Sequence, residues 1–370
     1  MAFDHLWNRL DRLRDEMLRH TVDGVLFLSV ESFGIENLFY FSGFRGSSAA
    51  LLITQKDAVL ATDGRYVAQA AAQSPFRIVP HGKKQTLLDM VGELLRRCGV
   101  TRCGFEGDAV TYSVYQRLSK LSATLQDMKG AVSLLRRPKD NVEVALITKT
   151  CRIAAAAYDR TLREIRPGMT ELEIAKRLEA HIVSLGGEGG WPRSPFIVAS
   201  GVRSAMPHGV ASTKQVCEGE WVTVDFGASC EGYMSDLTRN FALGYVSDPE
   251  FLKIHDILQE SHAQGAQAIV PGSSCLEVDQ AARKVIQEAG YGQYFSHGLG
   301  HGLGVEIHES PRLSPRSVDS LAVGDVVTIE PGIYIPDRGG LRIEDDYLVT
   351  EDGAVRLSEG LSQDFRILAV

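Results

Sequence analysis

Residues 296–309 read SHGLGHGLGVEIHE: three histidines, His297, His301 and His308, set among four glycines, Gly298, Gly300, Gly302 and Gly304. His297 and His301 are four apart, a spacing that pairs them on one face of a helix. A helix so rich in glycine, however, loses about 1 kcal/mol per glycine. The alternation has a period of two, so the stretch predicts extended backbone with glycine on one side. His297, Leu299, His301, Leu303 and Val305 then share the other side. A face without side chains lets a second backbone or a substrate come close. The alternative is a glycine-rich turn with buried, hydrogen-bonded histidines, and the stretch alone does not choose between the two.

Two pairs of acids in apolar runs bear on that choice. VTVDFGA (222–228) carries Asp225 and YMSDLTRNF (233–241) carries Asp236. If these runs close a hairpin, the midpoint between the acids falls between Cys230 and Glu231, in the polar loop. VVTIEPGIYI (326–335) carries Glu330 and GGLRIEDDYLV (339–349) carries Glu344; their midpoint is Asp337, inside the turn-like PDRGG. Directly opposed strand residues have Cβ atoms about 4.5–5.5 Å apart. Carboxylates that close repel one another, and apolar strands cannot hydrate them. Bound cations remove the conflict, and a pair of metal ions about 3.5–4 Å apart, bridged by carboxylates, fits the spacing. A single such hairpin can arise by chance with solvated acids. Two of them argue for a dinuclear metal site of a hydrolase.

From about residue 140 to 365 the chain resembles the catalytic domain of the pita-bread metallopeptidases, which include methionine aminopeptidase, aminopeptidase P and prolidase. The matching residues are Asp225 in VDFGA, Asp236 in YMSDLTR, His301 in GHGLG, Glu330 in TIEPG and Glu344 in RIEDD. All five metal positions carry the family's residue types, which argues against a metal-free relative such as creatinase. The resemblance implies two divalent ions. Asp225, Asp236 and Glu344 hold one; Asp236, His301, Glu330 and Glu344 hold the other, so that Asp236 and Glu344 bridge. Four carboxylates and one imidazole form a mostly hard donor set, which favours Mn²⁺ and admits Co²⁺, Fe²⁺ or Zn²⁺. Such ions activate water for attack on the scissile carbonyl. Glu330 is then the candidate proton shuttle. His297 and His308 are expected to hydrogen-bond the substrate and its developing oxyanion rather than to bind metal.

Three further residues have a local reading and a family reading. His208, in MPHG, reads locally as a surface-loop histidine, whereas the resemblance puts it on the substrate site. Arg342, two residues before Glu344, reads locally as an ion-pair partner of Asp345 or Asp346; at this place in aminopeptidase P and prolidase relatives an arginine supports the active site. Arg312, in ESPRLS, reads locally as a solvated loop residue, and matches an arginine that in some prolidases meets the carboxylate of a dipeptide.

The chain has 370 residues with a net charge of −8 and no basic block, so nucleic acid is not an expected partner. Six cysteines (98, 103, 151, 217, 230, 275) form no CxxC pair, which predicts a reduced, cytoplasmic protein. The N-terminal MAFDHLWNRLDRLRDE lacks the apolar core of a signal peptide. No apolar run approaches the ~20 residues of a membrane span.

The expected fold is α/β (α+β), in two domains. Residues 1–134 resemble the small creatinase-like N-terminal α/β domain of aminopeptidase P and prolidase, most visibly in FSGFRGSSAALLIT (41–54). Within it, helices are predicted at 4–20, from DGRYVAQAAA and near 84–97. Strands are predicted at GVLFLS, LFYF, the run to LLIT, KDAVLAT, RIVP and CGFEG. A boundary falls near Leu134–Asp140, with Pro138 read as the first turn of the next helix. Residues 135–370 form the pita-bread catalytic domain. Its order (helix, helix, hairpin, then helix, helix, hairpin) implies halves related by a pseudo-twofold axis. Thr170 with Glu173 is a capping-box signature. The resulting expectation is an Xaa-Pro aminopeptidase acting on short peptides with proline second, as a homodimer. The alternatives are a strict Xaa-Pro dipeptidase, then a methionine aminopeptidase, which usually lacks the N-terminal domain, and last a binding protein that kept the fold without catalysis.

Overall fold

A computed structural model of the chain describes residues 3–82, 85–192 and 194–370. It divides into two compact units, Met1–Arg136 and Arg137–Val370.

The first unit runs α1 (Asp4–Arg19), β1 (Gly24–Val30), α2 (Ile35–Ser42), β2 (Ser48–Thr54), β3 (Ala58–Thr62), α3 (Val67–Gln73), β4 (Arg77–Pro80), α4 (Leu87–Arg97), β5 (Arg102–Phe105), α5 (Tyr112–Leu118), β6 (Thr124–Asp127) and α6 (Ala131–Arg136). Position 84 of the helix predicted near 84–97 lies outside the described residues. The six strands form one mixed sheet in the order β4-β3-β2-β1-β5-β6. Strand alternation gives β1 two buried faces. Leu26 and Leu28 join Leu94 and Leu95 of α4 in one apolar cluster. Phe27, on the opposite face, stacks on Phe41 of α2 with ring centroids 5.0 Å apart.

LFYF, predicted as a strand, is the core of helix α2. Leu38, Tyr40 and Phe41 are each 0% exposed, and Gly43, in the left-handed conformation at φ 73°, ends the helix. Four apolar residues carry no period, so burial on all sides suits either element.

The second unit runs α7 (Asn141–Glu164), α8 (Glu171–Ser184), β7 (Ile197–Ser200), β8 (Trp221–Phe226), β9 (Ser229–Cys230), β10 (Tyr233–Met234) and β11 (Leu237–Leu243). It continues with α9 (Glu250–Gln267), α10 (Cys275–Glu288), β12 (Gly300–Gly302), β13 (Glu309–Leu313), β14 (Val326–Ile329), β15 (Gly332–Ile335), β16 (Gly339–Arg342), β17 (Asp345–Thr350), β18 (Gly353–Arg356) and β19 (Arg366–Leu368). Two helices followed by a hairpin sheet thus occur twice. Each half has its own sheet, ordered β19-β11-β8-β7 in the first and β13-β12-β14-β17-β18 in the second. Each also has its own core: α7 and α8 pack Ile153, Leu162 and Leu178 on Val224 and Phe241, while α9 and α10 pack Leu258, Val278 and Ile286 on Val327 and Ile329.

Local capping follows the sequence in one place and departs from it in another. The Thr170 hydroxyl accepts from the Glu173 amide, and the Glu173 carboxylate accepts in return from the Thr170 amide. Helix α7, in contrast, starts after Asp140, whose side chain accepts from the amides of Val142 and Glu143. Pro138 therefore precedes the cap rather than filling the first turn. An aspartate cap satisfies two orphan amides, which a proline cannot do.

The glycine-rich stretch is extended only over Gly300–Gly302. Leu299 is buried in the apolar core of the second half, whereas His297 and His301 line a cavity, so the predicted single face is broken before the strand begins. The close approach is real, however: a Cβ on Gly300 would stand 2.0 Å from the Thr328 carbonyl oxygen, so only glycine lets β12 lie against β14.

Candidate metal centre

The second hairpin places its acids as the sequence predicts. Ile329 faces Asp345 across β14 and β17, and Gly332 faces Arg342 across β15 and β16. Both ladders keep one register, which puts Glu330 opposite Glu344 in the gap between them. The first hairpin is offset. Asp225 faces Thr238, and Asp236 lies just before β11. Gly227 permits this crossing, since a Cβ there would fall 1.8 Å from the Ser235 carbonyl oxygen.

The offset makes Thr238 part of the site. Its hydroxyl donates to Glu344 Oε2 at 2.6 Å and accepts from Arg342 Nε at 3.0 Å. Thr328 holds the other half: its hydroxyl accepts from the His301 amide at 3.1 Å and donates to Glu330 Oε1 at 3.2 Å. The histidine segment is held from α10, where Asp279 accepts from the Leu299 amide and Arg283 donates to the His297 carbonyl.

Asp225, Asp236, His301, Glu330 and Glu344 line one cavity of about 870 Å³, together with His208, His297, His308, Arg312 and Arg342. Ligand-capable atoms of Asp236, His301 and Glu344 lie within 4.8 Å of one another. His301 Nε2 is 3.6 Å from Asp236 Oδ2 and 3.3 Å from Glu330 Oε1. Its Nδ1 lies 3.1 Å from the Gly302 carbonyl, which fixes Nδ1 as the protonated nitrogen and turns Nε2 toward the acids.

The electrostatics favour a bound cation. Burial, then the charges of neighbouring acids, raise Asp236 and Glu344 well above the usual carboxylate range. Burial also raises Asp225, against the opposing pull of Arg342. Glu330 is the exception: burial opposes its ionisation, but the hydrogen bond and charge of His301 outweigh it and hold Glu330 down to about 2. Asp225 Oδ1 and Asp236 Oδ1 are buried and, among the described residues, have no hydrogen-bond partner. Buried carboxylate oxygens left without donors fit coordination to a hard cation.

Arg342 does not pair with Asp345 or Asp346. It donates to Asp225 Oδ2 at 2.6 Å, to the Tyr334 hydroxyl at 2.7 Å and to the Pro207 carbonyl at 3.2 Å. Asp345 is instead bound by Arg239 at 2.6 Å. Arg312 sits on β13 opposite His301, exposed on the cavity wall. His308 packs edge-on against His301, with centroids 4.4 Å apart. His208 is exposed at the rim. Both ring nitrogens of His297 are engaged, Nδ1 at 2.8 Å from the Gly298 carbonyl and Nε2 at 3.2 Å from the Tyr334 hydroxyl. Burial lowers its pKa.

Sequence reasoning missed Thr238, Thr328 and Tyr334. The signal was the period of two: Thr328 and Glu330 are two apart, as are Asp236 and Thr238, while Tyr334 follows Glu330 by four, all separations that share a face on extended chain.

Two pseudo-equivalent halves closed on a cavity lined by four acids and four histidines make this a pita-bread metallopeptidase fold. Residues 145–351 match Peptidase_M24, metallopeptidase family M24, and residues 9–137 match the creatinase/prolidase N-terminal domain. The chain belongs to metallopeptidase family M24. It is 36% identical over 354 residues to the Xaa-Pro dipeptidase of Pyrococcus furiosus, covering 95% of this chain and 97% of that one. It is similar in structure to the Xaa-Pro dipeptidase from Bacillus anthracis, with a TM-score of 0.92, 38% identity and coverage of 98% and 100%. It is also similar to the X-Pro aminopeptidase from Thermotoga maritima, with a TM-score of 0.90, 35% identity and coverage of 98% and 100%. Among the described residues, no helix is long and apolar enough to cross a membrane.

Proposed function

We propose that this chain is a dinuclear metal-dependent exopeptidase that cleaves between an N-terminal residue and a following proline, an Xaa-Pro aminopeptidase that also accepts dipeptides. Its N-terminal domain spans residues 1–134 and its catalytic domain 135–370. One observation carries the reading: Asp225, Asp236, His301, Glu330 and Glu344 share a single cavity with His208, His297, His308, Arg312 and Arg342. Asp225, Asp236 and Glu344 are the residues for one ion, and Asp236, His301, Glu330 and Glu344 for the other. The hard donor set favours Mn²⁺, with Co²⁺, Fe²⁺ or Zn²⁺ as substitutes. When bound, the ions supply Lewis acidity and an acidified water.

The chain's own residues supply the remaining chemistry. Glu330, held ionised, accepts a proton and returns it to the departing amine. His308, and His297 once its Nε2 carries a proton and has released Tyr334, face the peptide carbonyl and its developing charge. Arg342 neutralises Asp225 and fixes its carboxylate. His208 contacts the peptide at the rim. A homodimer and a cytoplasmic location complete the reading, the latter supported by six free cysteines.

A strict Xaa-Pro dipeptidase is the second reading. The exposed guanidinium of Arg312 on the cavity wall favours it, since an arginine there can hold the carboxylate of a dipeptide in two parallel hydrogen bonds. A panel of Xaa-Pro dipeptides, Xaa-Pro-Xaa tripeptides and Met-Ala-Ser, assayed with Mn²⁺, Co²⁺ and Zn²⁺, decides. Turnover of both Xaa-Pro sets is expected. Activity confined to dipeptides selects the dipeptidase; faster turnover of Met-Ala-Ser overturns the assignment; metal uptake without turnover selects the binding protein.

A further inference from the structure

We propose that Asp346, itself held by Cys151, is a positioning residue for Asp236, and that it sets Asp236 and Glu344 as one unit; this rests on the metal-site reading above. The starting point is the backbone of Asp236. It lies in the gap between β10 and β11, where the ladder with β8 has not begun: the first pair is Leu237 with Phe226. The Ser235 amide still finds the Ala228 carbonyl at 3.1 Å. The Asp236 amide instead donates to Asp346 Oδ2, at 3.1 Å, from a strand of the other half.

Asp346 is well placed to act as such a gauge. It is 0% exposed and sits on β17 two residues beyond Glu344, so both side chains leave the strand on one face. Across the ladder it faces Thr328, whose hydroxyl holds the His301 amide and Glu330. A single level of the β14–β17 ladder therefore ties His301 and Glu330 through one residue and Asp236 through the other. The second partner of Asp346 Oδ2 is the Cys151 thiol, 3.3 Å away on α7. Its Oδ1 has none. A carboxyl group buried with so few donors is costly to keep. A role explains it: the carboxyl oxygen accepts from the Asp236 amide, and ligand geometry has to be held to within about 0.5 Å.

The test titrates metal-free protein with Co²⁺, followed by visible absorption and calorimetry, and then measures kcat and KM on an Xaa-Pro tripeptide. The variants are Asp346→Leu, Asp346→Asn, Cys151→Ala and Cys151→Ser. Cys275→Ala, a buried thiol of the same unit with no bond to these acids, is the control. Asp346→Leu should weaken Co²⁺ binding about 10- to 100-fold and alter the absorption band. Asp346→Asn, which keeps an oxygen for the Asp236 amide, should restore most of that loss. Cys151→Ser should lie closer to wild type than Cys151→Ala. The loss should fall on kcat, with KM within about twofold, because groups that touch the peptide are intact. Asp346→Leu and Cys151→Ala binding Co²⁺ like wild type would overturn the proposal, as would equal weakening in Cys275→Ala. If Asp346→Leu does not fold, Asp346→Ala replaces it under the same criteria. Wild-type protein that takes up no Co²⁺ overturns the metal-site reading along with this one, whereas normal uptake by all variants removes only this one.

Discussion

The two acid hairpins of the catalytic unit solve one problem with different registers. In the second, Glu330 and Glu344 stand opposite each other at the break between two ladders. In the first, Thr238 takes the place opposite Asp225, and Asp236 is two residues nearer the turn. Metal chemistry requires that the acids face one cavity, not that they be directly opposed. A shift of two preserves the face, whereas a shift of one would turn an acid away. The displaced hairpin compensates with its neighbours: Thr238 reaches Glu344 in the other half, and Arg342 reaches back to Asp225.

The largest expected effect tests whether the hairpins are equal partners. Asp236→Asn replaces a carboxylate proposed to bridge the two ions by a neutral amide, and Glu344→Gln does the same from the other side. Both should reduce peptide hydrolysis to background. Metal analysis showing two ions retained, with activity left in only one variant, would break the equivalence of the halves.

His297→Ala comes next. Loss of a donor to developing charge costs about 10²–10³ in kcat. The ions should stay, because His301, not His297, stands with the acids. Elemental analysis that found both ions lost would make His297 a ligand.

A smaller effect separates the two threonines. Partners that orient metal ligands are worth about 10- to 100-fold in affinity or activity. Thr238→Val should sit at the upper end, since its bond to Glu344 is 2.6 Å and it also accepts from Arg342. Thr328→Val should cost less, its bond to Glu330 being 3.2 Å. Equal metal affinities for the two variants would mean that the offset hairpin depends on its threonine no more than the aligned one does.

The same contrast shows what was legible in the sequence. Acids in apolar, β-branched runs, a PDRGG turn and a glycine face are local signals, and they located the second hairpin to the residue. The first hairpin escaped by one position of its midpoint, because the path through Ser235 and Gly227 depends on two backbones crossing, which composition does not record. Arg342 has three acids, Glu344, Asp345 and Asp346, within four residues of itself in the chain, yet it bonds Asp225 from another strand. Local proximity misassigned it, since β17 carries Asp345 and Asp346 away to Arg239 and Cys151. Helix α2 was read as a strand for a related reason: burial on every side erases the period that distinguishes the two.

The smallest expected effect concerns an asymmetry between the halves. The second half adds β12 and β13 to its sheet, and with them His301, His308 and Arg312. The first half adds His208, from the loop ahead of β8. Arg312 is exposed opposite His301, and among the described residues its guanidinium has no ion-pair partner. A dipeptide ends in a carboxylate one residue past the scissile bond; a tripeptide carries that charge one residue further away. A hydrogen bond to a charged group is worth about 1.5–3 kcal/mol, or roughly 10- to 150-fold. Arg312→Ala should therefore raise KM for Xaa-Pro dipeptides by at least about tenfold and change KM for Xaa-Pro-Xaa tripeptides by less than about twofold, with kcat nearly constant for both, as loss of uniform binding requires. Equal changes for the two substrates would remove Arg312 from carboxylate recognition, and leave the extra strands of the second half with the task of carrying His301 and His308 alone.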